Sequence, residues 1–109
     1  MQYLVSASGG AGFASPKEAL KALEDMVLPL FEALKRLESG RRILAGGVPV
    51  GDRALVFILE AASHDEVDRL LRSLPMWGVF TWDVVALQTF AGRVALEREF
   101  LKKLTEAGV

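Results

Sequence analysis

Apolar and polar positions along the chain fall into blocks whose period switches between two residues and the helical repeat. Gln2 to Ala7 is a short apolar run bounded by glycines and reads as a strand. Beyond the loop Ser8 to Ala14, Leu20, Leu23, Val27, Leu30 or Phe31, Leu34 and Leu37 recur at helical spacing. Ser15 as N-cap, Pro16 at the first helical position and Glu18 closing a capping box start this helix, and Gly40 ends it. Arg41 to Ala45 and Arg53 to Ala61 predict two more strands, joined by the turn-rich stretch GGVPVGD at 46–52. Ser63 and Glu66 form a second capping box before a helix with Val67, Leu70, Leu71 and Leu74 on its apolar face. Pro75 stops that helix, and the aromatic and β-branched run Val79 to Thr89 predicts a fourth strand. A last helix follows Gly92 and runs to Glu106, with Leu96, Phe100, Leu101 and Leu104 as its stripe and Glu99–Lys103 as an exposed ion pair.

Pro29 interrupts the first helical pattern. A proline inside a helix removes one backbone bond and clashes with the preceding turn, at a cost of about 3 kcal/mol. A kink or break near Asp25 to Leu28 is therefore predicted. Met26, Val27, Leu28, Leu30 and Phe31 cluster there, an apolar excess wider than one core-facing stripe requires.

The order strand, helix, strand, strand, helix, strand, plus a C-terminal helix, predicts an α+β chain of ferredoxin-like βαββαβ topology. Its four-stranded antiparallel sheet carries both main helices on one face. The whole chain, 1–109, reads as a single domain, with 1–91 as core and 92–107 as the C-terminal helix. Two helices cover one face only, and a wet second face should alternate apolar with polar residues. Ala54 to Leu59 does not alternate. The fourth strand puts Phe80, Trp82, Val84 and Ala86 on one face and Thr81, Asp83, Val85 and Leu87 on the other. Left bare, that second face exceeds the apolar patch a monomer usually shows. Either the C-terminal helix or a second copy of the chain covers it. Sheets packed face to face predict a barrel-like homodimer with an internal cleft.

Composition narrows the classes. Apolar residues make up 51% of the 109, enough for a packed core and too many for disorder. Thirteen basic against 14 acidic residues, with no basic block, leave no electrostatic case for nucleic acid. There is no cysteine, so disulfides, thiolate chemistry and cysteine-based metal sites are excluded. The start MQYLVSASGG lacks the basic region of a secretory signal, and the longest fully apolar run, Ala54 to Leu59, is too short to span a bilayer. A cytoplasmic protein with no membrane segment is expected.

Candidate chemistry is sparse. The loop Ser8-Gly9-Gly10-Ala11-Gly12-Phe13 approaches a dinucleotide fingerprint, but Ser15 stands where the third glycine belongs, and the capping box already occupies the helix end. It reads as a loop beside a cleft. His64, the sole histidine, reads as a surface residue at a helix start. Glu60 and Asp83 sit in or at the end of apolar strands, where a carboxylate is paired, hydrated or used. Either could act as a proton-transfer base, or reach solvent or an ion pair with Arg42 or Arg53. Trp77 and Trp82 could wall a ligand pocket or pack in the core or an interface. Arg41 and Arg42 could hold a substrate carboxylate as a fork. Tyr3 and Ser6 could donate hydrogen bonds into a cleft. No Ser/His/Asp triad, metal-ligand cluster or phosphate-binding lysine loop is present.

Leu74-Pro75-Met76-Trp77, followed by Trp82-Asp83-Val84 on the last strand, resembles the muconolactone isomerase-like branch of the dimeric α+β barrel superfamily. With the element order, the resemblance extends over about residues 1–93. It implies a homodimer, or a higher oligomer of dimers, with a small-molecule cleft in or beside each barrel. It also implies isomerisation of a small unsaturated or aromatic acid by proton transfer, with no metal or organic cofactor. Asp83 or Glu60 would then be the base, Arg42 the carboxylate partner, and Trp77, Trp82, Tyr3 and Ser6 the lining. The apolar stretch Met26 to Phe31 departs from the family, whose isomerases carry charge there. The alternative is a non-catalytic small-ligand-binding or structural homo-oligomer.

Overall fold

The computed structural model describes residues 1–9 and 12–109. Strand β1 (Gln2–Ser8) leads to helix α1 (Pro16–Ala22), a π turn (Leu23–Val27) and helix α2 (Leu28–Ser39). Strands β2 (Ile43–Gly47) and β3 (Leu55–Glu60) follow, then helix α3 (His64–Ser73), a 3₁₀ turn (Trp77–Val79), strand β4 (Thr81–Leu87) and helix α4 (Phe90–Glu106). The sheet order is β2-β3-β1-β4 with every neighbouring pair antiparallel. This is the α+β sheet and crossover pattern that the periodicity predicts.

Alternation along the two inner strands builds the core. Tyr3, Val5 and Ala7 of β1 and Leu55, Phe57 and Leu59 of β3 are all buried, on one face. Leu30 of α2 and Val67 and Leu71 of α3 close over them, with Ile43 and Leu74. Both capping boxes form: Ser15 Oγ accepts from the Glu18 amide at 3.2 Å, and Ser63 Oγ from the Glu66 amide at 3.1 Å.

The irregularity expected near Asp25 to Leu28 is a π turn, and the helix continues through Pro29. The Leu28 amide donates to the Leu23 carbonyl, five residues back, so the helix widens into a π turn just before the proline. The inserted residue reshapes the ladder ahead of the ring, and the missing proline N–H is absorbed as a bulge.

Two element ends differ from the simplest reading. The α2 terminus is a Schellman motif: the Arg42 amide donates to Leu37 O at 2.9 Å and the Arg41 amide to Glu38 O at 3.1 Å. The left-handed residue is Arg41 (φ 60°), while Gly40 (φ −81°) is only the C-cap, so β2 starts late, at Ile43. After Pro75, Met76 takes a left-handed conformation (φ 65°) and the 3₁₀ turn delays β4 to Thr81.

The second sheet face is open. Leu4, Ser6, Val56, Ile58, Asp83, Val85 and Leu87 share it, and none is buried. Nor does the chain's own C-terminal helix cover it, because α4 has no buried residue. The molecule extends 71 × 26 × 23 Å, with a radius of gyration of 19.1 Å against about 13 Å for a compact domain of this length. Thr89 caps α4, its Oγ1 accepting from the Gly92 amide at 3.0 Å, so the helix begins ahead of Gly92. Its ion pair is Arg93–Glu97 at 2.8 Å, rather than the Glu99–Lys103 pair read from the sequence. Among the described residues no helix is long and apolar enough to cross a membrane.

Candidate functional site

Where the π turn passes over the strand ends, it leaves a cavity of about 300 Å³. Leu23, Val27, Leu30 and Phe31 form its helical wall, and Leu55, Met76 and Phe80 its sheet end. The π turn supplies Leu23 and Val27 to this wall, and π bulges recur at functional sites. Of the apolar cluster around Pro29, Val27, Leu30 and Phe31 line this cavity, whereas Met26 and Leu28 are exposed. Val48, Asp52, Arg53 and Ala54, from the β2–β3 connection, and Phe13, from the glycine-rich loop, complete the lining. The Arg53 guanidinium lies over the Phe13 ring, 5.2 Å from its centroid. Asp52 Oδ1 accepts from the Arg53 backbone amide at 2.7 Å, which restrains the Asp52 carboxylate at the exposed β2–β3 connection. A Cβ at Gly12 would come within 3.4 Å of Arg53 Nη1. Gly10 and Ala11 of that loop lie outside the described residues.

The residues singled out in the sequence are distributed over three places. Ser6 and Asp83 are cross-strand neighbours on the open face. Glu60 is at the far end of the same face, opposite Gln2, and its Oε1 accepts from the Met1 ammonium at 2.8 Å. Its ion-pair partner is therefore this ammonium and not Arg42. Arg42 sits at the sheet edge, where Nε donates to the Glu60 carbonyl at 3.1 Å and Nη2 to Glu66 Oε1. Glu66 Oε2 also accepts from the Ala62 amide at 2.7 Å, so Arg42 braces the first turn of α3.

Tyr3 and Trp82 belong to the helix-covered face. Tyr3 is 1% exposed, and its hydroxyl is hydrogen-bonded to His64 Nδ1 at 2.9 Å, with the rings edge-on. His64 is the exposed first residue of α3, as read from the sequence, and also the partner of the Tyr3 hydroxyl. Trp82 Nε1 donates to the Trp77 carbonyl at 2.8 Å and meets Phe80 edge-on at 5.9 Å, so it stands behind the cavity wall. The Trp77 ring lies under the Arg72 guanidinium at 4.6 Å. Asp83 and Arg42 do not converge within one chain. Asp52, Arg53 and Phe13 do, and sequence reading did not select them. The only advance signals were the apolar excess at Met26 to Phe31 and an aromatic at the end of the glycine-rich loop. No group of three His, Cys, Asp or Glu side chains able to hold a metal ion forms among the described residues.

Comparison with known proteins bears on this geometry. The family profile described as muconolactone delta-isomerase matches residues 1–93. No curated protein matches the chain. A crystal structure of muconolactone isomerase superposes with a TM-score of 0.67 at 17% identity, covering 82% of this chain and 90% of the other. The 5-chloro-2-hydroxyhydroquinone dehydrochlorinase of Burkholderia phenoliruptrix, in complex with 2,5-dihydroxybenzoquinone, superposes with a TM-score of 0.59 at 20% identity, covering 81% and 94%. The fold is that of the dimeric α+β barrels. Most of α4, from Val94 onward, lies beyond the family match.

Proposed function

The chain belongs to the muconolactone delta-isomerase family, and we propose that it isomerises a small unsaturated or aromatic acid by proton transfer in the cavity beside the π turn, without a cofactor. The observation that carries this reading is that Asp52 and Arg53 open onto one apolar cavity. Pockets of this kind fix a ligand through a few polar groups set in apolar walls. Arg53 holds the substrate carboxylate, and Phe13, Val27, Phe31 and Phe80 pack against its carbon skeleton. Asp52 takes a proton from one carbon of the conjugated system and returns it to another, so a double bond moves and the composition is unchanged. The working unit in this reading is a homodimer formed through the open sheet face, whose apolar residues Leu4, Val85 and Leu87 favour cover by a second copy.

A second reading is favoured by the placement of Asp83. It lies beside Ser6 among apolar side chains on that open face. A cleft closed by a second copy would shield it from water and make it the base instead.

Deuterium uptake into unsaturated lactones and aromatic acids in heavy water tests both. Under the first reading Arg53→Ala and Asp52→Asn abolish exchange and Asp83→Asn does not. The reverse pattern transfers the chemistry to the open face. Saturable binding without exchange by the unsubstituted protein leaves a ligand-binding protein and removes the isomerase.

A further inference from the structure

The helical layer over the sheet is incomplete at one edge. Strand β4 is an edge strand, and on the helix-covered side its Val84 and Ala86 remain exposed, Val84 at 40%. They form, with Tyr3, the floor of a groove of about 300 Å³ whose side is α3, through His64, Val67, Asp68 and Leu71. Among the described residues, helix α4 buries none of its side chains. Every residue of α4 is outside the core, and Phe90, Phe100 and Leu101 are 92%, 59% and 64% exposed. From these two vacant surfaces we infer that α4 of one copy seats in the α3–β4 groove of a second copy, and that the exchange is reciprocal.

The junction between β4 and α4 favours a partner over the chain's own groove. Only Gln88 and Thr89 separate the two elements, and the Thr89 cap fixes where the helix begins. A Cβ at Gly92 would lie 3.1 Å from Thr89 Oγ1 and 3.6 Å from Gln88 Cγ, so the corner is closely packed. The arm is held away from the body, as the 71 Å length shows. An exposed arm beside a groove left open in the same chain is the arrangement from which a domain swap forms, and twofold symmetry makes each copy both donor and acceptor.

Area and charge agree. Phe90, Val94, Leu96, Phe100, Leu101 and Leu104 together expose roughly 600 Å², given about 150–250 Å² for each aromatic. Two arms exchanged reciprocally, with the groove surface they cover, reach the standard interface of about 1,600 Å². Asp65 lies on the exposed first turn of α3, and Asp68, beyond it, is paired with Arg72 at 2.8 Å, while Arg98 and Lys102 stand one turn apart on α4, beside its apolar stripe. The inference is independent of the proposed reaction, since none of these arm residues lines the cavity beside the π turn.

The absence of cysteine from the chain allows a direct test. Full-length protein carrying Val84→Cys is mixed with full-length protein carrying Leu96→Cys, Phe100→Cys or Leu104→Cys, and oxidised mildly at micromolar concentration. At least one mixture should yield about tenfold more disulfide-linked dimer than either variant alone, because only a seated arm brings the two sulfurs within reach. Ala86→Cys provides a second groove position should the first perturb packing. Equal linkage from an arm variant alone means that arms pair with each other and overturns the inference. An intrachain disulfide in a chain bearing both substitutions also overturns it, as does failure at both groove positions. A dimer that persists in sedimentation without any arm-to-groove linkage retains the sheet-face dimer and rejects the exchange.

Discussion

The two faces of the sheet are made by the same strands, alternate residue by residue, and have opposite fates. On β1, Tyr3, Val5 and Ala7 are at most 2% exposed, whereas their neighbours Leu4 and Ser6 stay outside the core. On β3, Leu55, Phe57 and Leu59 are buried while Val56 and Ile58 are only half-buried. Both faces are largely apolar, so hydrophobicity does not separate them. Cover does: the helical layer satisfies one face and leaves the other for a second surface. The covered face therefore holds the monomer together, and the open face is surface available to an assembly. The candidate chemistry sits at the end of the sheet, in the cavity that the π turn helps to line.

This comparison is tested most severely by truncating one residue on each face. Leu59→Ala, at a fully buried position, should cost about 2–5 kcal/mol and lower the melting temperature by about 10 °C or more. Ile58→Ala, one residue along on the open face, should cost about 1 kcal/mol or less in the monomer. Thermal unfolding at low protein concentration checks both, and equal losses would mean that the open face is not open.

Next in size is Gly46→Ala on β2. A Cβ there would meet Val56 O at 2.5 Å and the Phe57 Cβ at 2.6 Å, beside the register shift between Ile43 and Ala45. These are backbone and core atoms that cannot yield cheaply, so a loss of about 1–3 kcal/mol is expected in denaturant titration. The open face is probed in the opposite sense by Val85→Asp. Unfolding of the monomer should move by about 0.5 kcal/mol or less, while sedimentation should shift from dimer toward monomer. A dimer untouched by this change would require another surface.

How much could be read in advance follows from how local each feature is. The strands, both capping boxes and the Leu74-Pro75 stop depend on residues within one turn of each other, and the alternation of β1 and β3 assigned the core face directly. The cavity depends on residue 13, residues 23–31, residues 52–53 and residues 76–80 converging, which no local period encodes. Its trace was the apolar cluster around Pro29, of which Val27, Leu30 and Phe31 line the cavity while Met26 and Leu28 stay exposed. Arg42 illustrates the same limit. Its nearness to Glu60 across the strand pair was legible, but its commitment to Glu66 required α3 to be placed. The seat of α4 was beyond its stripe, because amphipathicity states that a surface is wanted and not which chain supplies it.

A small effect of the opposite sign, a gain in stability, is expected at the α2–β2 turn. Arg41 and Arg42 are adjacent, and both suggest a fork for a substrate carboxylate. Arg42 is engaged with Glu66 and the Glu60 carbonyl, and Arg41 is exposed, with its backbone left-handed to close the Schellman motif. That conformation costs a non-glycine residue about 1–2 kcal/mol, and glycine adopts it freely, though glycine also loses more entropy on folding. Arg41→Gly should therefore stabilise the chain by about 0.5–1 kcal/mol, a few degrees in thermal unfolding, and leave ligand binding unchanged. If instead Arg41→Gly weakens binding of aromatic acids, the cation that matters lies at the sheet edge. Arg53 and its cavity would then lose their claim to the carboxylate.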